Sequence, residues 1–274
     1  MSAGTRKRRL RKPDPLVIAF GIAGSLLILF VVWPLLSTIL AVSPALLLET
    51  LLDQEVLASL WLTFYAAALA AGLAAVTGVP LAYLLARYEF PGQRLVEGII
   101  DLPVVIPHTA AGVALLMVFG RQAPLGRLGA TVGIQFTEDV AGIVIAMLFV
   151  SLPFLVNTVQ ETFALIDPEL ERVALTMGAS RWQAFRYITL PLAWRGILAG
   201  ALMTWARGVS EFGAVVILAY HPKVIPVLVY ERFAGFGLSA AQPVAVVLIL
   251  VALGTFTILR LFLGRQRVVM PAPD

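Results

Sequence analysis

The sequence predicts an all-α membrane protein of about six transmembrane helices, with a polar two-helix loop between the fourth and fifth. Three observations carry this reading. Hydrophobic residues make up 60% of the 274 and charged residues 13%, and the mean hydropathy is +0.93, more apolar surface than a soluble core of this size can hide. About six runs approach the ~20 apolar residues that a helix needs to cross the hydrocarbon layer, near 15–40, 58–86, 98–120, 139–161, 193–219 and 240–264. They are apolar on all sides, whereas a membrane barrel requires alternating segments of about ten residues. The third observation is a charged interlude, DPELERVALTMGASRWQAFRYITLP, from Asp167 to Pro191.

In chain order, residues 1–14 form a basic leader (Arg6, Lys7, Arg8, Arg9, Arg11, Lys12) suited to anionic lipid headgroups. The apolar run behind it, Leu16 to Val42, is nearly unbroken and too long for the ~7–15-residue core of a cleaved signal, so it reads as a retained first helix. The third run contains LPVVIPHTAAG, in which Pro103 and Pro107 interrupt the helix and Asp101, His108 and Thr109 bring polarity. Broken helices at membrane depth are tolerated where they face protein or a water-filled cavity. The segment therefore reads either as a kink packed against neighbouring helices with His108 hydrogen-bonded there, or as a lining of the conduit with His108 and Thr109 as donors toward an anion.

The 162–192 loop has its own local logic. Asp167 reads as an N-cap with Pro168 at the first helical position and Glu169 and Glu171 in the first turn. Leu170, Val173, Ala174 and Met177 share a face, and Gly178 supplies the stop. After Ala179, Ser180 and Gln183 have capping-box spacing for a second helix, which Pro191 is expected to end. Trp182, Phe185 and Ile188 offer apolar contact, and Arg181 and Arg186 charge. The segment has the form of a docking knob.

The fifth run, WARGVSEFGAVV, carries Arg207 and Glu211 at i, i+4, on one face if the helix is continuous. Intramembrane charge costs on the order of 3 kcal/mol per residue and needs a reason. One reading is a charge pair that locks the helix against its neighbours; the sharper one is that Arg207 attracts a passing oxyanion while Glu211 restrains it. Gly208 and Gly213 read as close-packing positions. Residues 240–264 form the last run, and 265–274 a tail.

A net charge of +4 and a pI near 9.7 reflect membrane topology rather than nucleic-acid binding. The leader, Arg87, Arg94, the Arg residues of the knob region and those near the C-terminus all fall on one side of a six-span chain, against Arg121, Arg127, Lys223 and Arg232 on the other. The positive-inside rule then places both termini and the knob in the cytoplasm.

Catalytic chemistry has little support. No G-x-x-x-x-G-K-[ST] phosphate loop occurs, and the lysines are Lys7, Lys12 and Lys223 alone. His108 and His221 stand far apart without an H-E-x-x-H pattern, and there are no cysteines. No catalytic residue, bound cofactor or metal site is expected, and ATP hydrolysis would belong to another polypeptide.

Gly178 followed after nine residues by Ile188-x-Leu190-Pro191 resembles the loop signature of inner-membrane permease subunits of ABC importers. That signature opens with Glu-Ala-Ala six residues before the glycine. Here Arg172, Val173 and Ala174 stand there, with Glu171 displaced by one. DLPVVIPHTAAG and WARGVSEFGAVV sharpen the likeness toward permeases for tetrahedral oxyanions, most closely the molybdate/tungstate type. Sulfate permeases carry a related A-R-x-x-G-E-[FY]-G form, and Ser210 stands where it has glycine.

The resemblance spans roughly residues 55–264. It implies two copies with the pathway between them, two ATPase subunits holding ATP and magnesium, an extracytoplasmic oxyanion-binding protein, and a location in the cytoplasmic (inner) membrane. It assigns Glu169, Glu171, Met177, Gly178, Ala179, Ser180, Arg181, Trp182, Ile188, Leu190 and Pro191 to the ATPase-docking loop. Pro107, His108, Thr109, Arg207, Ser210 and Glu211 become pathway candidates. The alternatives are a sulfate or thiosulfate permease of the same type, and an ion-coupled secondary transporter. Against the latter, the chain shows no convincing repeat between its halves and few intramembrane carboxylates.

Overall fold

A computed structural model describes residues 15–263, with side chains through 257. The basic leader and the C-terminal tail lie outside the described residues. The described chain is helical throughout, without strands. Its elements are α1 (Pro15–Leu40), α2 (Pro44–Leu52), α3 (Gln54–Arg87), α4 (Gln93–Val105), α5 (His108–Phe119), α6 (Pro124–Thr131) and α7 (Val140–Ala164). There follow α8 (Glu169–Thr176), α9 (Arg181–Ala184), a π-helical turn (Phe185–Thr189), α10 (Leu190–Val209), α11 (Gly213–Leu218), α12 (Ile225–Phe236) and α13 (Leu238–Leu263).

The centre of the molecule is the packing of α3, α7 and α10. Small residues make it possible. Ala67, Ala70, Ala71, Ala74, Gly78 and Ala82 are all buried along α3, and a Cβ on Gly78 would lie 2.7 Å from Leu155 Cδ2. On α10, a Cβ on Gly196 would overlap Thr162 of α7, and one on Gly200 would come within 3.3 Å of the Leu155 carbonyl. Such stripes let helix backbones approach closely, which replaces the hydrophobic driving force that lipid does not supply. α1 buries none of its residues within the chain.

Four helices are each long and apolar enough to span a bilayer, α1, α3, α7 and α13. The expected third and fifth spans are not single helices. α4 and α5 form one bent pair, turned by 114° at Ile106–Pro107, where proline lacks the N–H needed to continue the ladder. The run expected over 193–219 breaks after Val209 and resumes at Gly213 as the short α11.

Pro191 does not end a helix, contrary to the sequence expectation. α9, the π turn and α10 run on as one continuous rod, with Pro191 in the first turn of α10. The Leu190 N–H bonds back to the Phe185 carbonyl, five residues earlier. The widened turn takes up the mismatch where proline cannot donate and would press on the preceding turn.

Candidate functional site

Two sites emerge, one at the helix break and one at the knob. At the break, Ser210 Oγ donates to the Arg207 carbonyl at 2.9 Å, a local bond of the kind that competes with the helix ladder. Glu211 Oε1 then accepts the Ala214 N–H at 2.8 Å, satisfying one of the free donors at the start of α11. The i, i+4 pair therefore does not lie along one continuous helix. Arg207 stands in the last turn of α10 and Glu211 in the gap, yet they meet, with Arg207 Nη2 donating to Glu211 Oε2 at 2.9 Å.

The third member comes from α5. His108 Nδ1 lies 2.9 Å from Arg207 Nη2 and 3.2 Å from Glu211 Oε2. Gly213 makes this approach possible, since a Cβ there would sit 2.7 Å from His108 Cβ and 3.1 Å from the Thr109 nitrogen. Glu211 is only 1% exposed, whereas the side chains of His108 and Arg207 are 39% and 20% exposed. Arg207 Nη1 also donates to Ser210 Oγ at 3.2 Å. Of the pathway candidates, His108, Arg207, Ser210 and Glu211 come together. Pro107 and Thr109 are exposed on the shoulder of the bend, outside this cluster. Asp101 instead accepts a bond from Asn157 of α7 at 2.8 Å.

At the knob the local reading holds. Asp167 Oδ1 accepts the Glu169 N–H at 2.9 Å, Gly178 adopts φ +92°, and Ser180 and Gln183 form a reciprocal capping box. Leu170, Val173, Met177 and Trp182 are exposed, as are Glu169, Ser180, Arg181 and Pro191, while Ala179, Ile188 and Leu190 are half-buried. Glu169 pairs with Arg172. Glu171 departs from this pattern because it points inward. It accepts bonds from Tyr83 Oη at 2.8 Å, Arg87 Nε at 3.0 Å and Thr189 Oγ1 at 2.7 Å, which tie the knob to the end of α3 and the start of α10.

The sequence reading missed Tyr83, Arg87 and Thr189. The available signal was Tyr83 and Arg87 at i, i+4 where an apolar run ends. A groove of about 640 Å³ opens beside them, lined by Val79, Tyr83, Trp182, Phe185, Leu190 and Ile197 among others.

At the opposite end of the bundle, ion pairs clamp the segment before α3 to α12. Arg232 binds Asp53 at 2.6 Å, and Lys223 binds Glu231 at 2.7 Å and Glu55 at 3.0 Å. The Arg232 hydrogen bond holds the Asp53 carboxyl below its ordinary pKa. The Lys223 hydrogen bond does the same for Glu231, and Lys223 is raised in return. No group of three or more side chains suited to a metal occurs among the described residues.

Comparison with known proteins accounts for this architecture. The molybdate/tungstate transport system permease protein WtpB of Thermococcus kodakarensis is 40% identical over 255 residues, covering 92% of this chain and 98% of that protein. WtpB of Methanocaldococcus jannaschii is 40% identical over 221 residues, 80% of this chain and 86% of that one. A probable sulfate transport system permease protein, cysT of Chlorokybus atmophyticus, is 35% identical over 180 residues, 64% of this chain and 63% of that one. Among solved structures, a bacterial ABC transporter involved in the import of the acidic polysaccharide alginate superposes with a TM-score of 0.70 at 17% identity, covering 93% of this chain and 96% of that one. The MetNI methionine ABC transporter in an inward-facing conformation gives 0.59 at 20% identity, over 77% of this chain and 96% of that one. At those identities the two structures share the fold. The family described as the binding-protein-dependent transport system inner membrane component matches residues 78–266, and the chain belongs to it as an ABC transporter permease.

Proposed function

We propose that this chain is the membrane-spanning subunit of an ATP-driven importer that carries molybdate or tungstate inward. The observation that carries the reading is the 40% identity to a molybdate/tungstate permease over 98% of that protein's length. The helix-break site is compatible with it. Arg207 and His108 offer donors at a gap between packed helices, and a tetrahedral oxyanion presents oxygens to such donors. The sulfate reading rests on relatives of lower identity, 31 to 35%.

In this proposal the chain pairs with a second copy, and the pathway runs between the two. The knob and both termini face the cytoplasm, following the basic residues. The chain binds no cofactor of its own and hydrolyses no ATP. Two ATPase subunits hold ATP and magnesium, and an extracytoplasmic binding protein delivers the anion. The exposed face of α8 and the neighbouring Trp182 dock the ATPase. Glu171, bonded to α3 and to the start of α10, passes the movement into the bundle. ATP-driven closure of the ATPase pair then rocks the two copies between inward-open and outward-open states.

The test is uptake of tungstate, molybdate and sulfate into proteoliposomes holding the chain with its ATPase and binding protein, with and without enclosed ATP. ATP-dependent uptake of tungstate or molybdate over sulfate is expected. Uptake of sulfate alone moves the substrate to the neighbouring class, and uptake that ignores ATP but follows an ion gradient overturns the importer.

A further inference from the structure

Glu211 is the only fully buried ionisable side chain among the described residues, and its two oxygens have separate tasks. Oε1 accepts the Ala214 N–H and so belongs to the fold of the break. Oε2 faces the Arg207 guanidinium, 2.9 Å from Nη2, and lies 3.2 Å from His108 Nδ1. Arg207 and His108 are open on their outer sides, while the carboxylate is sealed behind them.

An anion meeting this site finds Arg207 Nη2 already bonded to Glu211 and Nη1 to Ser210. Oε2 has the charge and hydrogen-bonding character of an oxyanion oxygen and uses the same donor that an incoming anion would use. Without it, Arg207 would be a partly desolvated cation with no internal counter-charge, a place where a dianion enters and stays. Conduction requires binding strong enough to admit the ion and weak enough to release it. A protein carboxylate that competes for the cation lowers the affinity without removing the donor.

We infer that Glu211 is a resident counter-anion, and that the oxyanion binds by exchanging with Oε2 on Arg207 while Oε1 keeps its bond to Ala214. This rests on the reading that the helix break faces the translocation path. It assigns Glu211 a part in setting affinity, beyond lowering the insertion cost of Arg207. The exchange moves no proton and breaks no covalent bond. The carboxylate gives up one charge-assisted hydrogen bond, the dianion takes it, and the reverse step releases the cargo.

The experiment measures equilibrium binding of tungstate, and separately of sulfate, to the full chain in nanodiscs without ATPase or binding protein. The variants are wild type, Glu211→Gln, Glu211→Asp and the Glu211→Gln/Arg207→Gln double variant. Glutamine retains an acceptor for the Ala214 N–H but carries no charge against Arg207. Glu211→Gln is expected to bind at least one of the two anions about tenfold more tightly than wild type, the scale of one charge-assisted hydrogen bond. The double variant is expected to lose that gain.

Equal affinity in wild type and Glu211→Gln overturns the inference, as does a gain that survives loss of Arg207. If Glu211→Gln does not purify as a monodisperse species, Glu211→Asp carries the test. Its shorter side chain withdraws from Arg207, so a smaller gain supports the exchange and no gain overturns it. Failure of the wild-type complex to take up tungstate in proteoliposomes bears on the proposed cargo and leaves this binding test standing.

Discussion

Arg87 Nε lies 3.0 Å from Glu171 Oε1, joining the end of α3 to a knob helix 84 residues later. The Arg87 side chain is 7% exposed and that of Glu171 15%, and Arg87 also donates to the Ile166 carbonyl at 3.0 Å. This pair is shielded from solvent, unlike the surface pair of Glu169 with Arg172 a few residues away.

Removing one partner of a buried pair leaves an uncompensated charge and costs about 3 kcal/mol or more. Glu171→Ala is therefore expected to lower the thermal midpoint of the purified chain and to uncouple ATP hydrolysis from uptake. Glu169→Ala, on an exposed pair, is expected to cost less than about 1 kcal/mol. Thermal unfolding of the two variants side by side checks the contrast; equal midpoints would remove Glu171 from its anchoring role.

Gly178 has φ +92° and open space around its Cβ position. The constraint is conformational rather than steric, worth roughly 1–2 kcal/mol for a residue with a side chain. Gly178→Val is expected to leave the bundle folded while turning α8 relative to α9, and so to weaken co-purification with the ATPase. Undiminished co-purification would count against the knob as the docking element.

Gly213→Ala drives a methyl group into the His108 Cβ and the backbone of Thr109. Overpacking of this kind costs about 1–3 kcal/mol. The variant is expected to separate α5 from α11 and to reduce uptake. Gly208→Ala, whose Cβ would stand 3.3 Å from Ala67 Cβ, is expected to be milder. Uptake assays of both variants at matched expression test that order.

The Asp53, Glu231 and Lys223 clamp predicts a pH window. Lowered folded-state pKa values mean that Asp53 and Glu231 stabilise the fold above their unfolded values near pH 4. That contribution is lost as pH falls through the lowered folded values. The raised Lys223 contributes fully below about pH 10.4 and loses its share as pH rises through its folded value. Thermal stability from this cluster is expected to be flat between those limits. In Lys223→Met the acid-side loss attributable to Glu231 is expected to shrink, as read from melting midpoints against pH.

Much of the candidate site could be read from residue types, because its signals are local. The Asp167 cap, the Gly178 stop and the Ser180–Gln183 box each depend on a few neighbouring residues, and the structure keeps all three. Arg207 and Glu211 were visible for the same reason, since charge inside an apolar run demands a partner. Pro191 misled because the expectation was also local. A proline ends a helix that has the usual ladder, and the preceding π turn changes that ladder.

The sequence by itself determined that this protein is helical and membrane-embedded, where its apolar runs lie, and how its polar loop is capped. Burial energy per residue and backbone hydrogen bonding within a few residues dictate those features. Only the tertiary structure decided that Glu171 turns inward to Tyr83 and Arg87, that the fifth run breaks at Ser210–Phe212, and that His108 reaches Arg207 across 99 residues of chain. The physical reason is that these arrangements depend on how closely helices distant in sequence can pack. A glycine such as Gly213 permits the contact, and nothing beside it in the chain names the residue it will meet.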